Sequence, residues 1–168
     1  DYDKNSDIAK DFYATVQNKF HYAITGNTAA EIIYNRVDSQ KVNMGLTNWN
    51  KSPDGKILKS DVYIAKNYLE EKEIKKLNNL VNLFLDIAEN NAERNLSMSM
   101  KDWKNEVETS LKLFHYEVLE GKGKISGEKA KQKAESEYEK YKIIQDKKFV
   151  SDFDKLLLET EKIDRHQQ

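Results

Sequence analysis

The chain contains no cysteine, which excludes disulfides and thiolate-held metals. One proline and six glycines leave few breakers, and that favours long helices. Charge of one sign is also missing. The 28 Lys and Arg residues against 29 Asp and Glu leave a formal net charge of −1. A domain that holds nucleic acid mainly by its phosphates would carry a basic excess. DNA binding by this segment is therefore disfavoured, although a local basic patch can survive the averaging. No apolar run approaches the roughly 20 residues of a membrane span, and no signal peptide is visible. The expectation is a soluble cytoplasmic protein with no membrane partner. The first residue is Asp1 rather than Met, which reads as a fragment or processed product with any upstream domain out of view.

What is present suits folding. The 168 residues are 38% hydrophobic and 34% charged, with 9 Tyr and 6 Phe. That length fits one domain with a real core. Ser6 caps a first helix whose stripe is Ile8, Phe12, Val16 and Phe20, running to about Thr25. A short helix spans Thr28 to about Val37, burying Ala29, Ile32 and Ile33. The only long irregular segment, Asp38 to Lys59, holds the turn signal Ser52-Pro53-Asp54-Gly55, and residues 40–59 read as an ordered loop or small hairpin. Ser60 or Asp61 caps a short helix ending near Tyr68. Glu70 to about Asn95 is apolar on most sides and reads as the axis of a bundle. Ser99 caps the next helix, with Trp103, Val107, Leu111 and Phe114 inward until Gly121. After the break Gly121-Lys122-Gly123, Ser126 caps a helix carrying Ala130, Ala134, Tyr138 and Tyr141 through Ile144. Ser151 restarts it, with Phe153, Leu156 and Leu157 as last anchors and a frayed tail after Ile163. The sum is an all-α bundle of about six or seven helices, one domain over residues 1–168.

The stretch Gln17 to Trp49 is where a site would sit. Gly26 ends one helix, Thr28 starts the next, and Glu31 completes a capping box. Gln17 and His21 share a helical ladder, with Asn18 beside them. His21, with an unperturbed pKa near 6.5, can act as a general base; its plainer role is a partly buried histidine satisfied by a neighbouring group. Thr28 and Glu31 read first as a cap, although amides at a helix start can also hold an anion. Arg36 adds a guanidinium fork or forms a surface ion pair with an acid such as Asp38. Asn43-Met44-Gly45-Leu46 with Trp49 offers amide donors, bare backbone and an aromatic wall, a lining suited to a small molecule or peptide. Its bland alternative is a loop that buries Met44, Leu46 and Trp49 against the first helix.

Catalytic templates mostly fail. His21, His115 and His166 lie far apart, and neither HExxH nor a Fic-type HPFxxGNGR string occurs. Asp86, Glu89 and Glu93 share a helix face but lack Glu-x-x-His partners, so the expectation is a solvated face and no metal. Pro53-Asp54 with Glu70 and Lys72 satisfies a PD…ExK spelling. That chemistry needs acids on adjacent strands around Mg²⁺, whereas Glu70 and Lys72 start a helix. No P-loop or dinucleotide fingerprint is present, and no cofactor is expected.

Several strings share one resemblance. They are DFYATVQNKFHYAITGNTAAEII (Asp11 to Ile33), NMGLTNW (Asn43 to Trp49), KSDVYIAKNYL (Lys59 to Leu69), MKDW (Met100 to Trp103), EYEKYKIIQD (Glu137 to Asp146) and SDFDK (Ser151 to Lys155). In order, over nearly the whole chain, they resemble the RhuM family of bacterial virulence-associated proteins. The resemblance implies a C-terminal domain whose upstream DNA-binding-like segment is absent here, so that DNA contact would run through that segment. It implies no settled catalytic activity. The leading expectation is thus a helical interaction or regulatory domain that takes a small ligand or protein partner. Exposed tyrosines on the last helix would support a homo-oligomer. The alternative is a toxin-like hydrolase or transferase acting on nucleic acid or nucleotide. It would use His21 as base, Glu31 or Asp61 as second acid, and Arg36 to stabilise charge. Convergence of His21, Asn18, Glu31 and Arg36 on one open cleft separates the two.

Overall fold

A computed structural model of the chain describes residues 6–149 and 154–158. Helix α1 (Asp7–Thr25) starts where the Ser6 side chain accepts from the Ala9 amide at 3.1 Å. It stops at Gly26, whose φ of 69° is left-handed and whose amide returns to the Tyr22 carbonyl. Helix α2 (Ala29–Arg36) follows from the Thr28 cap. After three short 3-10 turns, Val42–Gly45, Asp61–Tyr63 and Ala65–Tyr68, come α3 (Glu71–Glu93), α4 (Met100–Leu113) and α5 (Gly127–Lys148). Ser99 with Asp102 makes a capping box for α4, and the Ser126 side chain caps α5. The described residues contain no strand, so the fold is all-α, and 40–59 is a folded loop rather than a hairpin.

Helix α2, not α3, sits at the centre. It packs along α5, against α1, and against the Ala65–Tyr68 turn. Ile32, Val37, Met44, Ile57, Val62, Tyr68 and Leu69 are all at most 2% exposed around it, and each large apolar side chain so buried stabilises by about 1.5–3 kcal/mol. Helix α3 buries only Leu77 and Leu80. It joins the body through these, through Ile74, through Glu73, and through Phe84, which meets Phe20 of α1 and Trp103 of α4 edge-on at 6.0 and 5.5 Å. Beyond those rings Val81 and Leu85 face solvent. Apolar composition thus states a preference for burial without supplying a neighbour.

Other expectations shift for local reasons. Ile8 is exposed and Ala9 is buried in its place, because the first turn of α1 presents a slightly rotated face to the core. The Ser60–Tyr68 helix is two 3-10 turns separated at Ile64, whose extended φ/ψ of −102°/108° breaks the helix. Helix α4 ends at Phe114, well before Gly121; Phe114 is exposed, and His115 turns left-handed at φ 60°. Tyr138 is buried and Tyr141 half-buried, so the tyrosines of α5 serve the core rather than an open face. Residues 154–158 are helical, and Leu156 and Leu157 are exposed rather than buried. Ser151, Phe153, His166 and the tail after Ile163 lie outside the described residues.

Gly26 and Gly45 are both left-handed but differ in surroundings. A Cβ on Gly26 would meet nothing within 4 Å, whereas one on Gly45 would lie 2.3 Å from the Arg36 carbonyl oxygen. Gly26→Ala is expected to cost about 1 kcal/mol, the left-handed penalty alone. Gly45→Ala adds a backbone clash and is expected to cost at least about 3 kcal/mol. Urea unfolding midpoints of the two variants check the order.

Candidate recognition site

The α1–α2 corner is built around one carboxylate. Glu31 Oε2 accepts from the Thr28 amide at 2.8 Å while the Glu31 amide donates to the Thr28 hydroxyl at 3.4 Å. Its other oxygen, Oε1, accepts from the Lys124 amide at 2.6 Å. Burial pushes this carboxyl upward, but the Lys124 and Thr28 bonds outweigh it and hold Glu31 below the ordinary carboxylate range. Gly123 lies so close that a Cβ there would fall 2.6 Å from the Thr28 methyl. Asn18 reaches across from α1, its Oδ1 accepting from the Ala29 amide at 3.1 Å.

Beside this corner opens a recess of about 1060 Å³. Its walls are α1 at Ala14, Gln17 and Asn18, the start of α2 from Thr28 to Ala30, and the 121–127 segment leading into α5. Ile33, Tyr63, Ile125 and Ala130 add apolar and aromatic surface. Five lysines line it, Lys19, Lys104, Lys122, Lys124 and Lys131, against the one acid Asp11. Lys19 is a buried strut: its ammonium donates to the Leu119 carbonyl at 3.1 Å and pairs with Glu108 at 2.9 Å. Lys104 meets Asp11 at 3.4 Å, and the Lys131 ammonium stands 5.5 Å from the Tyr63 ring centre.

The residues singled out in the sequence do not converge. Gln17, Asn18 and Thr28 line this recess. Asn43 and Trp49 line another, of about 500 Å³, at the far end of α5 with Tyr141 and Gln145. Glu31 borders a third, of about 550 Å³, with Tyr22 and Asn35. The first two are held apart by α5, which spans roughly 33 Å at 1.5 Å per residue and crosses α2 between them. Along that crossing the Lys133 ammonium donates to the Tyr34 carbonyl at 2.5 Å and the Ser39 amide to Glu137 at 2.7 Å. His21, Arg36, Met44, Gly45 and Asp61 line none of these three recesses.

Each of those five has a bond or packing role. Arg36 makes a two-pronged pair with Glu73 at 2.6 and 2.7 Å and also donates to the Tyr68 carbonyl, tying α2 to α3. Its partner is therefore Glu73, not Asp38. Buried Asp61 accepts from the Asn50 and Leu58 amides at 3.1 and 2.8 Å and closes the turn between them. Met44 is fully buried in a left-handed turn, with Asn43 at φ 50° and Met44 at φ 47°, ahead of Gly45 at φ 89°. Trp49 is buried with its indole N–H on the Gly55 carbonyl at 2.7 Å. Sequence reasoning gave the Gly121–Lys131 stretch no binding role, reading Gly121-Lys122-Gly123 as a break and Ser126 as a helix cap; lysines interleaved with glycine ahead of that cap were the available signal.

His21 is 3% exposed, its Nδ1 2.7 Å from the Gln17 carbonyl. That contact makes Nδ1 the protonated nitrogen and leaves buried Nε2 without a partner. Burial lowers the His21 pKa, and the carbonyl bond only partly offsets it. As pH falls, the unfolded chain therefore takes up this proton first, near pH 6.5, and stability is lost from there down towards the folded value. Glu31, Glu73 and Glu137 (the last held down to about 2) lose their contribution only as pH falls from the ordinary carboxylate range towards their lowered folded values. Between pH 7 and 5, His21→Gln is expected to flatten the fall in urea midpoint; an unchanged slope would sink the assignment.

Neither the curated proteins nor the solved structures yield a match. The family model described as virulence protein RhuM family does match, over residues 1–150. With so much of its length matched, the chain belongs to the RhuM family of virulence proteins.

Proposed function

We propose that this helical region is a recognition and regulatory domain of a RhuM protein rather than a catalyst. In this reading the recess between α1, α2 and the start of α5 takes a small ligand, and DNA contact falls to a segment upstream of this one. The observation that carries it is the separation of every candidate acid and base. His21 is buried with Nε2 opening onto none of the three recesses. Glu31 and Asp61 accept backbone amides as anchors, and Arg36 is paired with Glu73. General acid–base chemistry needs a group within hydrogen-bond reach of the substrate proton. The main recess instead offers cations, amides and apolar wall, a lining for binding.

Two measurements test this. Amide chemical shifts recorded with a bacterial small-molecule extract are expected to move around Asn18, Ala30 and Gly123 and to stay still around Trp49. Incubation with nucleotide and nucleic-acid substrates is expected to yield no product. Shifts confined to the Trp49 loop, or turnover that His21→Gln abolishes, would overturn the reading.

A further inference from the structure

Charge in this chain is balanced overall but not in this recess. The whole sequence has 28 basic and 29 acidic residues, yet the lining carries five lysines and a single aspartate. Lys19 is neutralised by Glu108, which lies outside the lining, and Lys104 leans on Asp11. Lys122, Lys124 and Lys131 remain, exposed in the lining; Lys124 also feels the Glu31 carboxylate and Lys131 that of Glu135, both outside the lining. The Glu31 carboxylate beneath Lys124 is bound by the Thr28 and Lys124 amides. Lys122 forms no ion pair or hydrogen bond with any described residue. Opposite charge is what such a wall selects.

The remaining surface narrows the class of anion. Tyr63, half-buried, has the Lys131 ammonium over one face of its ring, and Ile33, Ile125 and Ala130 extend an apolar floor. An inorganic anion or a sugar phosphate would leave that floor wet. A flat heteroaromatic base can stack on a tyrosine ring, worth about 1–3 kcal/mol per base, while its phosphate reaches the lysines through charge-assisted bonds. The volume, about 1060 Å³, lies just above the upper end of the small-molecule pocket range, typically about 300–1,000 Å³. A long nucleic acid would also meet the acidic remainder of a chain whose net charge is −1.

We infer that the recess binds a free nucleotide, with its phosphates on Lys122, Lys124 and Lys131 and its base against Tyr63. This rests on the recognition reading and names the ligand class for the same site. The Asn18 amide nitrogen makes no hydrogen bond with any described residue, which leaves it free to donate to a phosphate or ribose oxygen. Binding of this kind is electrostatic at one end and stacked at the other, so the two ends separate by mutation.

Calorimetric titration of the purified chain with ATP, AMP, adenosine, inorganic phosphate and a single-stranded oligonucleotide tests it. ATP and AMP are expected to bind, and adenosine and phosphate each to bind at least about tenfold more weakly, one charge-assisted bond or stacked base being worth that much. Lys122→Glu with Lys131→Glu should weaken ATP by more than about tenfold, with unchanged circular dichroism as control. Tyr63→Leu should weaken AMP while leaving the affinity for phosphate unmoved. Lys122→Ala with Lys131→Ala, milder in charge, should lose affinity in the same direction. No nucleotide binding, or binding indifferent to the lysine variants, overturns the inference; so does an oligonucleotide that outcompetes ATP. If nucleotides fail while extract-induced shifts still map to Asn18 and Gly123, the ligand class falls and the recognition site stands. If the shifts map elsewhere, both fall.

Discussion

The Glu31 carboxylate closes two circuits at once. One oxygen ties back to the Thr28 amide and so fixes where α2 begins; the other takes the Lys124 amide, 93 residues further along. A buried carboxylate that lost either amide would keep its desolvation cost without compensation, so the two segments are held as one unit. Gly123 reinforces the join by permitting van der Waals approach to the Thr28 side chain that no larger residue could make. From Lys124 the chain reaches the Ser126 cap within two residues, so the origin of α5 is set by the same bond. The direction of α5 then follows from Lys133 on the Tyr34 carbonyl and Glu137 on the Ser39 amide. The recess is the gap that remains between these three constrained pieces.

That explains which features could be read from the sequence and which could not. Caps are short-range: a hydroxyl and an amide three residues apart need only each other. Ser6, Gly26, the Thr28–Glu31 box, Ser99 and Ser126 were therefore legible, and all stand where the pattern placed them. Packing is not short-range. The apolar residues of α3 announce a demand for cover, but Val81 and Leu85 find none, because the face of α3 that packs on the core carries Ile74, Leu77, Leu80 and Phe84. Gly121 to Lys124 looked like a break because its partner, Glu31, is nearly a hundred residues away. The separation of Asn43 and Trp49 from Asn18 had the same cause: the helix that divides them lies far downstream in sequence. The side chains were recognisable, but their grouping was a tertiary fact.

The Asn43–Trp49 loop shows how chemically rich residues can be consumed by folding. A left-handed non-glycine residue costs roughly 1–2 kcal/mol, and Asn43 and Met44 are two in a row. The turn persists because several bonds and a buried thioether over-determine it. The Asp38 amide donates to the Met44 carbonyl, the Leu46 amide to the Asn43 carbonyl, and Met44 is fully enclosed. Asp61 then gathers the Asn50 and Leu58 amides, and the Trp49 indole closes on Gly55. Asparagine and glycine are there for backbone reasons, since both tolerate the left-handed region better than other residues. The loop's order is what the sequence showed; the cause of that order is mechanical.

Net charge misleads for a related reason. Screening limits electrostatic reach to about 8 Å at physiological ionic strength, so a ligand responds to the charges lining its own recess and not to the sum over the chain. A value of −1 for 168 residues weighs against a long polyanion, which must cross many such neighbourhoods. It carries little weight against a compact one, which occupies a single neighbourhood. Nor does every cation count: the Arg36 guanidinium is enclosed by Glu73 and the Tyr68 carbonyl, and Lys19 by Glu108 and the Leu119 carbonyl. Strong charge committed to internal bonds is structural. Only where lysines outnumber the acids lining one recess, as with Lys122, Lys124 and Lys131, does the chain keep positive potential for something outside itself.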